Sequence, residues 1–151
     1  MDEIEVRVIH LEPLRVASAL GFGGEPEHQA WQKLLAFVKE KDLLAQKPRF
    51  FGFNNPSPSA GSPNYGYEQW VTVGPEESSQ GEITVKTFSG GLYAVLRCPG
   101  IPNPDIWRKL IVWREHSAYK PANHQWLEEL LSSPEAPEEQ MVFDLYLPIA
   151  S

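Results

Sequence analysis

Tyr65-Gly66-Tyr67-Glu68-Gln69-Trp70-Val71-Thr72-Val73 carries the clearest strand signal in the chain, dense in aromatic and β-branched residues that suit a pleated surface. Side chains two apart in an extended segment share a face, so Glu68 and Trp70 point the same way. Just upstream, Phe50 to Phe53 reads as a second strand, and Asn54 to Asn64 is a connection crowded with Pro, Ser, Gly and Asn. Further upstream, Trp31, Leu34, Leu35 and Val38 recur at i, i+3, i+4 and i+7. That stripe predicts an amphipathic helix over about 26 to 44, with Pro26 tolerated in its first turn and Pro48 beyond its end. Before the helix, Ile4 to Val8 and Leu14 to Leu20 alternate with period 2 around Glu12-Pro13, which predicts a hairpin or an offset pair of strands.

Downstream the same order of elements returns. With a shift of 77 positions, Glu5, Val6, Val8, Ala17 and Gly23 fall on Glu82, Ile83, Val85, Ala94 and Gly100. A second helix is predicted over about 103 to 116, with Ile106, Leu110 and Trp113 on one side. The chain therefore reads as one domain over 1–151, built from pseudo-repeats of approximately 1–75 and 80–151. The expected architecture is α+β: a duplicated β-β-α-β-β module whose antiparallel sheet carries two main helices on one face and leaves a central ligand groove.

The acid–aromatic spacing of Glu68 and Trp70 occurs twice more. Asp144 and Tyr146 share one face of the last strand, opposite Phe143, Leu145 and Leu147, and Trp126 with Glu128 has the same spacing. Aromatic faces stack on flat rings or attract cations, and carboxylates neutralise positive charge. Each pair alone has a plainer explanation: a strand Trp usually packs in the core, and a strand Glu is usually solvated. Gln125 to Leu131 consists of good helix formers, and in a helix Trp126 and Glu128 would diverge by roughly 200°.

Composition limits the chemistry. Hydrophobic residues make up 42% and charged residues 22%, the balance of a globular protein, and the net charge of −7 repels phosphate backbones. Direct nucleic-acid binding is therefore disfavoured. Cys98 is the single cysteine, which excludes an internal disulfide and reads as a small buried residue. The absence of a signal peptide or a membrane-length apolar run predicts a cytoplasmic protein without membrane contact. His10, His28, His116 and His124 show no metal-ligand spacing, and no cofactor is expected. Arg97 reads as exposed or paired with an acid.

Several stretches taken together resemble the GyrI-like small-molecule-binding domain, the effector-binding part of multidrug-responsive and AraC-type regulators. They are Phe51 to Pro56, Tyr65 to Val73, Gly90-Gly91-Leu92-Tyr93-Ala94-Val95, Trp107 with Trp113, and Asp144 to Ile149. The resemblance implies twin modules around a groove and a ligand-contacting Glu in the third strand of the second repeat. Leu127-Glu128-Glu129-Leu130 occupies that place, with Glu128 or Glu129 as the contact, and the resemblance favours a strand there. Taken with the acid–aromatic pairs, the expected ligand contacts are Glu68, Trp70, Tyr93, Trp126, Glu128, Asp144 and Tyr146. With no helix-turn-helix before Met1 or after Ser151, the chain is expected to be the sensor part alone.

The function expected is that of a binder that senses or sequesters lipophilic, cationic or polycyclic compounds. The alternative is a hydrolase opening cyclopropane rings of DNA-alkylating natural products, with Glu68 or Glu128 directing water. An interaction protein similar to gyrase inhibitors is a third reading.

Overall fold

The computed structural model describes residues 4–54 and 65–151. In chain order the elements are β1 (Val6–Leu11), β2 (Leu14–Gly23), α1 (Pro26–Glu40), β3 (Phe50–Asn54), β4 (Tyr65–Thr72), β5 (Thr84–Phe88), β6 (Gly91–Pro99), α2 (Pro104–Glu115), β7 (Lys120–Pro121), β8 (Leu127–Leu130) and β9 (Val142–Ala150). The fold is α+β with antiparallel strand pairing. The turn-rich connection expected before Tyr65, including Asn55 and Pro56, lies outside the described residues.

Leu14–Phe88 is one compact unit. Its sheet runs β5-β2-β4-β3, and α1 packs on β2 and β4. The helix buries Ala30, Leu34, Phe37 and Val38, so the inward stripe is rotated slightly from the one read in the sequence. Trp31 sits at its margin, meeting Phe50 edge-on at 5.4 Å. Burying each of Leu34, Phe37 and Val38 contributes roughly 1.5–3 kcal/mol. The helix stops at Glu40, four residues early. Asp42 takes a left-handed φ of 53°, and the chain tightens into a 3-10 turn that buries Leu43.

The second unit combines the segment up to Pro13 with Ser89–Ser151. Its sheet runs β1-β6-β9-β8, with the short β7 on the end of β9. Leu110 of α2 enters a core of Ala94, Leu96, Cys98, Leu145, Leu147 and Ile149, flanked by Ile106, Trp107 and Trp113. The helix starts where Asn103 Oδ1 accepts a hydrogen bond from the Ile106 amide at 3.1 Å, with Pro104 at the first helical position.

Neither the hairpin nor the offset strand pair expected around Glu12-Pro13 forms. β1 pairs with β6, while β2 pairs with β4 and β5. The first strand of each sequence repeat thus lies in the sheet built by the other repeat. Otherwise the two registers correspond: Ser18↔Trp70 and Leu20↔Glu68 in one unit match Val95↔Tyr146 and Arg97↔Asp144 in the other. Residues 127–130 are a strand. The ladder to β9 overrides their helical propensity.

Candidate functional site

Paired residues in an antiparallel ladder share a face, so the registers identify the side chains opposite each helix. In the Leu14–Phe88 unit, Phe50 turns toward α1, and the opposite face carries Ser18, Leu20, Glu68, Trp70, Lys86, Phe88, Phe51 and Phe53. Glu68 is nearly enclosed, and its Oε2 is held from several sides. Ser18 Oγ donates at 2.7 Å, Trp70 Nε1 donates at 2.6 Å, and Lys86 Nζ forms an ion pair. The Trp70 ring packs edge-on against Phe53 at 5.0 Å and tilted against Phe88 at 5.1 Å. Lys86 Nζ also lies 5.5 Å from the Trp70 ring centroid, within cation–π range. On the same face Leu20 and Phe22 are 48% and 56% exposed, which gives the acid–aromatic cluster an apolar margin.

The corresponding face of the other unit carries Arg7, Tyr93, Arg97, Asp144, Tyr146, Leu127 and Glu129. Asp144 and Tyr146 hold the register positions of Glu68 and Trp70. Asp144 Oδ1 accepts from Arg7 Nη2 at 2.8 Å and from Arg97 Nε at 2.7 Å. The hydrogen bond to Asp144 is the main reason the Arg97 guanidinium holds its proton more tightly than usual. The Tyr146 hydroxyl donates to Glu129 Oε1 at 2.7 Å in a buried contact. The Tyr93 hydroxyl donates to the Gln125 carbonyl at 2.5 Å, and its ring packs against Tyr146 and His124.

The sequence-predicted residues therefore separate. Glu68 with Trp70, and Asp144 with Tyr146, are same-face pairs as their spacing required. Tyr93 is completely buried, so it braces Tyr146 and presents no surface of its own. Trp126 and Glu128 belong to the other side of their sheet. The Trp126 ring lies 5.3 Å from Trp107 of α2, and Glu128 pairs in register with the core residue Leu145. Glu129 is the acid that faces Tyr146.

Lys86 and Arg7 are the residues that sequence reasoning missed, and of the two acids it left open, Glu128 and Glu129, Glu129 is the one on this face. Each acid of a pair receives a cation from the exchanged first strand, Lys86 of β5 for Glu68 and Arg7 of β1 for Asp144. Strand alternation places Lys86 beside Phe88, but nothing local announces the partner across the ladder.

A cavity of about 720 Å³ opens along α2, lined by Ile4, Asp105, Arg108, Lys109, Val112 and Trp113. It contains none of the acid–aromatic pairs, and its one acid, Asp105, is bound by Arg108 at 2.9 Å. Cys98 is buried in the α2 core, and burial pushes its thiol up. Among the described residues no helix is long and apolar enough to cross a membrane.

Residues 7–149 match the family model of Cass2, the integron-associated effector binding proteins. The chain belongs to this family. Its fold is shared by EcmrR in an EcmrR–DNA complex, at a TM-score of 0.73 and 11% identity. The alignment covers 97% of this chain but 57% of that one, so the chain spans little more than half of that relative's length. A hydrolase from Listeria innocua matches at TM-score 0.71 and 14% identity, covering 99% and 94% of the two chains. SAV2435 bound to tetraphenylphosphonium matches at TM-score 0.52 and 14% identity, covering 98% and 95%. A search of curated protein sequences finds no match.

In this effector-binding chain two tyrosines titrate unusually. Tyr65 is pushed up to about 12, chiefly by its hydrogen bond to Glu27, and burial alone raises Tyr93 further. A folded-state tyrosine that resists ionisation binds more protons than the unfolded chain above about pH 10, so stability is lost as pH rises from there. Absorbance titration at 295 nm should leave Tyr65 and Tyr93 protonated past about pH 11, with Tyr93 ionising as the fold melts. Five tyrosines ionising together near pH 10 with native circular dichroism would contradict this burial.

Proposed function

We propose that this effector-binding protein senses or sequesters small lipophilic compounds that are cationic or polycyclic, and that Glu68 and Trp70 contact the charged or flat part of the ligand. One observation carries the reading. An enclosed carboxylate shares a face with a Trp ring, and a positive group already satisfies both. That is the chemistry by which a weakly hydrated cation is recognised. Glu129 and Tyr146 form a separate acid–aromatic pair on the corresponding face of the other unit. The tetraphenylphosphonium bound to SAV2435 belongs to the same class of ligand.

Asp144 is given a structural task in this reading, because two guanidinium groups already balance its charge. The hydrolase alternative draws no support from Glu68. Its Oε2 accepts from a hydroxyl, an indole and an ammonium, which leaves it a poor base for directing water.

Isothermal titration with tetraphenylphosphonium and with neutral triphenylphosphine oxide tests the proposal. Glu68→Gln should weaken the cation by on the order of tenfold and the neutral probe by less than about twofold. Glu128→Gln, on the α2 side, should change neither. Equal losses for both probes in Glu68→Gln would remove the electrostatic argument.

A further inference from the structure

If Glu68 and Trp70 take the charged part of a ligand, one side chain of the protein is already in that position. Lys86 Nζ is ion-paired with Glu68 Oε2 and lies 5.5 Å from the Trp70 ring centroid. The two ends of this ion pair differ in mobility. The Glu68 side chain is 6% exposed and anchored by Ser18 and Trp70, whereas that of Lys86 is 43% exposed on a flexible four-carbon stem. The carboxylate is the fixed half and the ammonium the movable half.

We propose that Lys86 is a tethered cation that occupies the Glu68–Trp70 subsite until a ligand cation displaces it, and that this exchange selects for weakly hydrated, lipophilic cations. The inference rests on the reading of Glu68 and Trp70 as ligand contacts. Its physical basis is a comparison of hydration. A buried carboxylate without a counter-charge is strongly destabilising, so the subsite is never left with a bare charge. When Lys86 swings out, a compact, strongly hydrated ammonium recovers its water. An incoming cation with spread-out charge gives up little hydration in return. A small hydrated ammonium gives up as much as Lys86 regains and has no advantage in the exchange. Lys86 thereby sets specificity as well as affinity.

The test compares the full chain with its Lys86→Met variant at pH 8, using tetraphenylphosphonium and triphenylphosphine oxide in isothermal titrations. Methionine keeps a long apolar stem and removes the competing charge. The variant should bind the cation on the order of tenfold more tightly and the neutral probe within about twofold of the original. An unchanged or weaker cation affinity in the variant, with the parent protein binding normally, would overturn the role of Lys86 and leave the reading of the site intact. No binding of either probe to either protein would overturn that reading, and this inference with it.

A second measurement needs no variant. Acetic anhydride labelling of the parent protein, read by mass spectrometry, should show Lys86 modified faster when tetraphenylphosphonium is bound and unchanged with the neutral probe. Lys86 that stays equally protected under saturating cation would show that it never leaves, and the proposal would fall.

Discussion

Trp70→Ala should cost the folded state about 3–5 kcal/mol and reduce binding of a lipophilic cation below detection. The side chain is 3% exposed and joins three kinds of contact. It packs against Phe53 and Phe88, donates to Glu68 at 2.6 Å and faces the Lys86 ammonium. Truncation leaves a cavity and removes a donor from an enclosed carboxylate, and both effects destabilise. Trp70→Phe separates them. It keeps a ring between Phe53 and Phe88 but loses the Nε1 donor, and should cost about 1–3 kcal/mol. Urea denaturation followed by circular dichroism reads both variants. A midpoint for Trp70→Ala within error of the parent would mean that the ring is not packed as described.

Gly21→Ala is the second substitution expected to act strongly, with a loss of about 3 kcal/mol at the upper end of overpacking effects. A Cβ at Gly21 would sit 2.1 Å from the Pro26 carbonyl oxygen and 2.9 Å from the Ala30 amide. Both are helix backbone, so no side-chain rotation relieves the clash, and α1 must lift from β2. Gly24→Ala is the control. It lies three residues further on, and a Cβ there meets nothing within 4 Å, so stability should stay within about 0.5 kcal/mol. Hydrogen exchange should show the amides of α1 losing protection in the first variant alone. Equal behaviour of the two variants would rule out the close helix–strand approach.

Much of this arrangement was legible in the residues, for identifiable reasons. The helix stripe from Trp31 to Val38 and the alternation of residue type in β4 and β9 are local periodicities that can be read directly from sequence. The i, i+2 rule placed Glu68 with Trp70 and Asp144 with Tyr146 because both lie well inside regular strands. The same rule misplaced Trp126 and Glu128, although it was right that they share a side. Which side depends on the register of β8 against β9, a pairing between residues distant in sequence, and that register puts Glu129 with Asp144. The partners of β1 and β5 were hidden for the same reason. A strand's pattern shows that it has an apolar face, and it does not say which strand lies beside it. Arg97 was read as exposed or paired with an acid. The ladder to β9 supplied the acid, Asp144.

The exchanged first strands have a consequence for the gene as well as the fold. A polypeptide ending near Gly74 would carry Trp70 without Phe88 and Glu68 without Lys86. Its complement, starting near Glu82, would carry Asp144 without Arg7. The first fragment would hold Glu68 without its ammonium, and the second would leave Asp144 with Arg97 as its remaining guanidinium partner. Cutting the chain there therefore takes from each segment partners that lie in the other. The two segments are mutual cofolding partners encoded on one message.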